Sequence, residues 1–246
     1  MKRWKLTLEY DGSGFCGWQR QAQGTTVQQT IEEAIQKFSG ETVTSHVAGR
    51  TDAGVHAVAQ VAHFDLDKDT TDDVIRDALN FHVRPHKVVI LNVEEVSAEF
   101  HARFDALNRS YRYHVVNRRA PLALLADKAW HVPKPLALQP MQEAARLLIG
   151  KHDFSTFRAQ GCQSNSPIKT LDRLDISSDD EKIIFHTTAR SFLYHQVRNM
   201  VGTLIMVGNG QWSASDFKSA FETCDRTKGG PTAPPHGLFF WGVTYP

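Results

Sequence analysis

Cysteine is scarce in this chain: Cys16, Cys162 and Cys224 are all there are among 246 residues. An odd number at wide spacing does not make a disulfide framework, and with no CxxC pair there is no zinc site of that kind. Reduced thiols fit the cytosol, so a cytoplasmic location is the expectation. Long apolar runs are missing as well. The longest, Leu238 to Val243, falls far short of the roughly 20 residues that a membrane helix needs. The opening Met-Lys-Arg-Trp-Lys-Leu-Thr-Leu-Glu-Tyr has early cations but no apolar core of an export signal. No membrane or export role is expected.

There is no excess of charge of one sign either. With 28 Lys and Arg against 27 Asp and Glu, the whole molecule has no strong field for a polyanion, and any nucleic-acid contact must use a local patch. Walker A, HExxH and GxSxG motifs are absent. Gly12, Gly14 and Gly17 follow an apparent strand, but lack the spacing and the immediate helix of a dinucleotide loop. His82 and His86 have the i, i+4 spacing of two ligands on a helix turn, yet Arg84-Pro85 between them makes a regular helix there unfavourable. No metal is expected at the scattered histidines His46, His56, His63, His82 and His86.

What the chain does have is 41% apolar, 10% aromatic and 22% charged residues, the balance of a soluble globular protein. A chain of this length buries roughly 73% of its unfolded surface. Residues 3–10 alternate as a strand, and Val27, Ile31, Ala34, Ile35 and Phe38 recur at helical spacing with Gly40 as a stop. A short strand over 42–48 and a second over 57–66 follow. Thr71, Asp72 and Asp73 then start a helix carrying Val74, Ala78 and Leu79, and 87–96 is a strand. That order is β-α-β-β-α-β. It repeats: strand 111–116, helix 138–149, strands 171–177 and 182–189, helix 192–207, a short helix 213–224, and strand 238–244. The expected class is α/β (α+β): two ferredoxin-like halves, 1–105 and 106–246, with antiparallel sheets joined around a central catalytic cleft.

Three segments carry candidate chemistry. Gly49-Arg50-Thr51-Asp52-Ala53-Gly54-Val55-His56 is a polar turn between strands. Asp before Ala-Gly is ordinary turn chemistry. Yet Arg50, two residues away on an extended segment, shares a face with Asp52 and would keep it ionised as a base or nucleophile requires. From Phe100 to Arg119 there are five arginines, Arg103, Arg109, Arg112, Arg118 and Arg119, against Asp105 alone, interleaved with Phe100, Phe104, Tyr111 and Tyr113. Aromatic faces for bases beside cations for phosphates make an RNA-binding surface, and a solvated edge strand is the alternative. Asp65 to Asp77 is the reverse, with six Asp against Lys68 and Arg76. In the helix at 192–207, Leu193, Val197, Val201 and Leu204 form an apolar face, with His195, Arg198 and Asn199 off it. These three are either an exposed polar stripe or cationic support for a carboxylate.

Gly17-Trp18, Thr26-Val27-Gln28, Gly49 through Ala57, Phe100-His101-Ala102-Arg103, Tyr111-Arg112-Tyr113, His152-Asp153-Phe154 and His195 through Gly202 stand in an order that resembles the bacterial tRNA pseudouridine synthase A family. The resemblance covers nearly the whole chain and departs around Asn80 to Val88. It implies that Asp52 is the catalytic aspartate, that Tyr111 packs on the target base, and that Arg50 and Arg198 are basic groups near the carboxylate. Phe100, His101, Arg103 and Arg112, with Tyr111, are the expected substrate-binding residues. The resemblance further implies isomerisation of uridine in the anticodon stem and loop of tRNA, at positions 38–40, without metal or cofactor, by a homodimer. An RNA-binding protein without catalysis and a metal-dependent hydrolase are the competing readings.

Overall fold

A computed structural model describes all 246 residues, Met1–Pro246. It belongs to the α+β class, and its chain divides into two compact units: Met1–Arg109 with Phe239–Pro246, and Ser110–Leu238.

The first unit contains β1 (Lys2–Tyr10), α1 (Val27–Ser39), β2 (His46–Val47), β3 (His56–Leu66), α2 (Asp72–His82) and β4 (Val88–Val96). Its strands lie in the order β4-β1-β3, antiparallel, with β2 on the outer edge of β3. That order, fourth-first-third-second, is the ferredoxin-like one. Trp4, Leu6, Leu8 and Tyr10 point alternately to the buried side, as the period of a strand requires. Val27, Ile31, Ala34 and Ile35 of α1 supply the opposing buried stripe. Thr26 caps α1 by accepting from Gln29 N, and Gly40 ends it in the left-handed conformation. In α2 the buried residues are Ile75 and Leu79, whereas Val74 is exposed, so its core face sits one position later than the sequence suggests. Asn80 fixes the helix to β4 by donating to Ile90 O and accepting from Ile90 N. The expected strand over 42–48 shrinks to two residues, because Glu32 captures Ser45 N and Ser45 Oγ.

The second unit holds most of β5 (Asn108–Val116), then β6 (Trp130–His131), α3 (Leu138–Arg146), β7 (Gly150–Asp153), β8 (Ile168–Asp179), β9 (Lys182–Ala189), α4 (Gln196–Gly208) and α5 (Ala214–Glu222). Its strands run β5-β9-β8-β7, with β6 beside β5. Its core contains Phe154, Phe157, Phe217 and Phe221, with Phe157 and Phe221 stacked at 5.6 Å. Ser213 and Asp216 form a reciprocal capping box on α5. The last strand, β10 (Leu238–Thr244), has the bounds read from the sequence; from Phe239 its residues belong to the first unit, parallel to the start of β3.

Helix α4 begins at Gln196, not at 192. Gln196 Oε1 accepts from Leu193 N, Tyr194 N donates to Cys162 Sγ, and His195 takes a left-handed φ of 59°. Phe192 to His195 are therefore not helical, and Gln196 N closes a turn on Leu193 O. The helix is also buried on nearly every side, so Asn199 is no surface residue: it donates to Phe157 O and accepts from Thr232 Oγ1. No helix is long and apolar enough to cross a membrane.

Candidate active site

The turn before β3 carries Arg50, which is exposed, and Asp52, which is half-buried. Its backbone is held from several sides. Trp18 N donates to Thr51 O at 3.0 Å, Val55 N to Asp52 O at 3.1 Å, and Gly54 N to Phe15 O at 3.4 Å. Gly12 N donates to Nδ1 of the buried His56 at 3.0 Å. The glycine-rich stretch after β1 thus wraps this turn. Gly17 shows why a glycine is needed: its φ is +91°, and a Cβ there would stand 2.8 Å from Thr51 O. In the sequence this stretch is marked only by its glycines and by the Gly17-Trp18 pair of the resemblance.

The first unit also holds Phe100, His101 and Arg103, on a turn rather than a strand. Asp105 accepts from His101 N, His101 Nδ1 accepts from Arg103 N and Phe104 N, and Tyr245 donates to Ala102 O. Phe100 packs edge-on to Tyr245 at 5.0 Å, while Arg103 and Phe104 are exposed at the tip. Arg109 departs from the RNA-surface reading. It is buried, and its guanidinium donates to the carbonyls of Ala48, Ala106 and Arg103. Its task is to tie loops together.

In the second unit, Tyr111 and Arg112 are half-buried on β5 and Arg198 is half-buried on α4. Tyr111 meets Phe192 edge to face at 5.1 Å, a contact made by the non-helical segment that replaces the expected start of α4. Arg198 Nε donates to Ala233 O at 2.8 Å, and Ala233 N returns a bond to Arg198 O at 3.1 Å. The buried Tyr113 donates to Pro234 O. Within its own unit each element is therefore anchored. Phe192, Tyr10 and Gln60 are residues to which sequence reasoning gave no role, and Trp18 was named without one. Of these, Trp18 alone carried a signal, within the Gly17-Trp18 pair.

The sequence model of a family described as tRNA pseudouridine synthase matches residues 7–105 and 144–246. The chain belongs to that family. It is 56% identical over 245 residues to tRNA pseudouridine synthase A of Paramagnetospirillum magneticum, covering 100% of this chain and 96% of the relative. Against the enzyme of the same name from Rhodospirillum centenum identity is 55%, with 100% of both chains covered. For that of a Methylobacterium species it is 53%, over 100% of this chain and 98% of the relative. The family's name is that of an isomerase.

In this pseudouridine synthase the turn carrying Phe100 and His101 rests on a histidine cluster. His63 Nδ1 accepts from Ala102 N at 3.1 Å, and its ring lies 4.8 Å from His101 and 5.0 Å from His46. Burial pushes His63 down to about 4, helped by the charges of His101, Arg3 and His46 and opposed by Asp65. Burial lowers His101 too. Above the ordinary histidine pKa of about 6.5, His63 is neutral folded or unfolded. As pH falls from there towards about 4, only the unfolded chain takes up this proton, so stability is lost through that window and levels off below it. The wild-type melting temperature should fall more steeply over this range than that of His63→Gln. Parallel curves for the two proteins would refute the assignment.

Proposed function

We propose that this chain converts uridine to pseudouridine in the anticodon stem and loop of tRNA, at positions 38–40, with Asp52 as the catalytic carboxylate. The observation that carries the reading is the Asp52 turn. A half-buried carboxylate stands on backbone held by Trp18, Phe15 and Val55, which is the fixed placement that catalysis by a single side chain demands. The first half of the chain, 1–105, supplies Arg50 and Asp52, and the second, 106–246, supplies Tyr111 and Arg198.

The chemistry suits these residues. The N1–C1′ bond breaks, the freed uracil turns, C5 bonds to C1′, and the proton lost from C5 is balanced by one gained at N1. No oxidant, reductant or group donor enters, so we assign neither cofactor nor metal. Attack of the Asp52 carboxylate on C1′ and removal of a ribose proton by the same carboxylate both start from one placement of the group. Tyr111, itself steadied by Phe192, lies on the face of the uracil, and Arg50 and Arg198 place positive charge beside the reacting carboxylate. The target nucleotide must leave its stack to arrive there. Phe100, His101, Arg103 and Arg112 contact the rest of the tRNA. The working form is a homodimer, in the cytoplasm where its substrate is made.

The test uses a tRNA transcript with uridine tritiated at C5. Catalytic release of label, with pseudouridine appearing at positions 38–40, is the expected result. No release, or modification confined to other positions, would overturn the proposal. A second measurement concerns binding. Arg103→Ala and Arg112→Ala should each weaken tRNA affinity and lower the slope of log Kd against log salt by about one, because each phosphate contact releases counterions. Unchanged slopes would place the phosphates elsewhere on the surface.

A further inference from the structure

Beneath the Asp52 turn lies a buried polar network that takes no part in the chemistry described so far. Tyr10, at the end of β1, is 4% exposed, and Gln60, in β3, is fully buried. The Tyr10 hydroxyl stands 2.7 Å from Thr51 Oγ1. Gln60 Nε2 donates to Gly49 O at 2.8 Å and to the Tyr10 oxygen at 3.4 Å. Gln60 Oε1 accepts from Val61 N at 3.2 Å. Two strands of the sheet thus grip the turn at two points, the carbonyl before Arg50 and the hydroxyl before Asp52. Trp18 N grips it at a third, Thr51 O.

We propose that Tyr10, itself held by Gln60, is a positioning residue for catalysis, a buried clamp that acts through Thr51 to fix where Asp52 stands. The inference rests on the reading of Asp52 as the catalytic carboxylate.

Three physical points support it. A polar network inside an apolar sheet costs desolvation that packed hydrocarbon avoids, and a fully satisfied one fixes a single geometry. Here the geometry fixed is that of the catalytic turn. Orientation matters more at this turn than at most, since a reacting group displaced by 1 Å can lose about a hundredfold in rate. Finally, burial pushes the Tyr10 hydroxyl up to about 12, which keeps it a neutral hydrogen-bonding group at working pH. It holds the turn and does not exchange protons with substrate.

The experiment compares Tyr10→Phe, Thr51→Val and the double variant with wild type, by single-turnover tritium release at saturating enzyme and by tRNA binding. Tyr10→Phe should slow release about tenfold, with the tRNA Kd within about twofold and the shape of the pH–rate profile unchanged. Thr51→Val should show a similar loss with Tyr10 intact. The double variant should be no slower than the slower single one, because both break the same link. A wild-type rate in either single variant, a multiplicative loss in the double, or an altered pH profile would overturn the clamp. So would a lower melting temperature with no change in single-turnover rate. The control is Asp52→Asn. If it retains activity, the catalytic assignment fails; if it is inactive while Tyr10→Phe and Thr51→Val are not impaired, only the clamp fails.

Discussion

Asp52→Asn should bind tRNA as wild type does and release tritium roughly four to six orders of magnitude more slowly, the scale seen when an enzyme loses its central reacting group. The substitution keeps the size and shape of the side chain. It leaves three backbone bonds of the turn untouched, because Trp18 N, Val55 N and Gly54 N hold carbonyls of Thr51, Asp52 and Phe15 and none of them uses the carboxylate. An amide neither forms an ester at C1′ nor takes a proton from the ribose, so both routes stop at the first step. Asp52→Glu keeps the charge but carries it about 1 Å further, and on positioning grounds should lose about a hundredfold. Near-wild-type activity in the asparagine variant, with fold and tRNA affinity preserved, would remove Asp52 from the chemistry. An equal loss of binding and rate would make it a substrate-binding residue instead.

This turn was legible in the sequence because its signal is local. Arg50, Asp52, Gly54 and His56 stand within seven residues. The same holds for β1, whose buried residues alternate, for α1, which has helical spacing and a stop in Gly40, and for β10. What stayed hidden depends on partners far along the chain. Tyr10 meets a residue 41 positions away, and Gln60 reaches back 11 to Gly49. No periodicity announces either contact. The start of α4 lies later than the sequence suggests because 192–195 keep helical spacing of apolar residues, while Cys162 Sγ and the Gln196 side chain satisfy the backbone of a turn there. Strands β6 and β7 have two and four residues, too few for alternation to register.

The charge pattern shows the same limit. Near neutrality of the whole chain conceals an arginine-rich and an aspartate-rich segment, and that much is visible in the sequence. Which arginines face solvent is not. Arg109 looks like its neighbours, but three carbonyls draw it inward, whereas Arg103 stays exposed. On the acidic side, Arg76 pairs with Asp73 and Asp77 on α2, and Asp65 pairs with Arg3. The local fields are weaker than counting charges implies.

The second large effect is expected at Gly202, inside α4. Glycine in a helix interior costs about 1 kcal/mol relative to alanine, so propensity alone predicts that Gly202→Ala stabilises the protein. Packing predicts the reverse. A Cβ there would lie 1.8 Å from Pro231 O, 2.9 Å from Pro231 C and 3.2 Å from Ala233 N. These are backbone atoms of a segment already bound to the helix: Gly230 N donates to Thr203 Oγ1, Thr232 Oγ1 to Asn199 Oδ1, and Ala233 N to Arg198 O. No rotamer change relieves the overlap; the segment has to move. Overpacking costs about 1–3 kcal/mol and more where backbone must shift, so the net loss should be about 2 kcal/mol, lowering the melting temperature by about 4–8 °C. Activity should suffer beyond stability, since the displaced Ala233 carbonyl is the acceptor of Arg198 Nε. Below its melting transition, the folded variant should therefore show a reduced single-turnover rate of tritium release. A raised melting temperature would mean that the segment yields freely and helix propensity wins. A lowered one with a wild-type single-turnover rate would mean that the Ala233 carbonyl does not hold Arg198 where catalysis needs it.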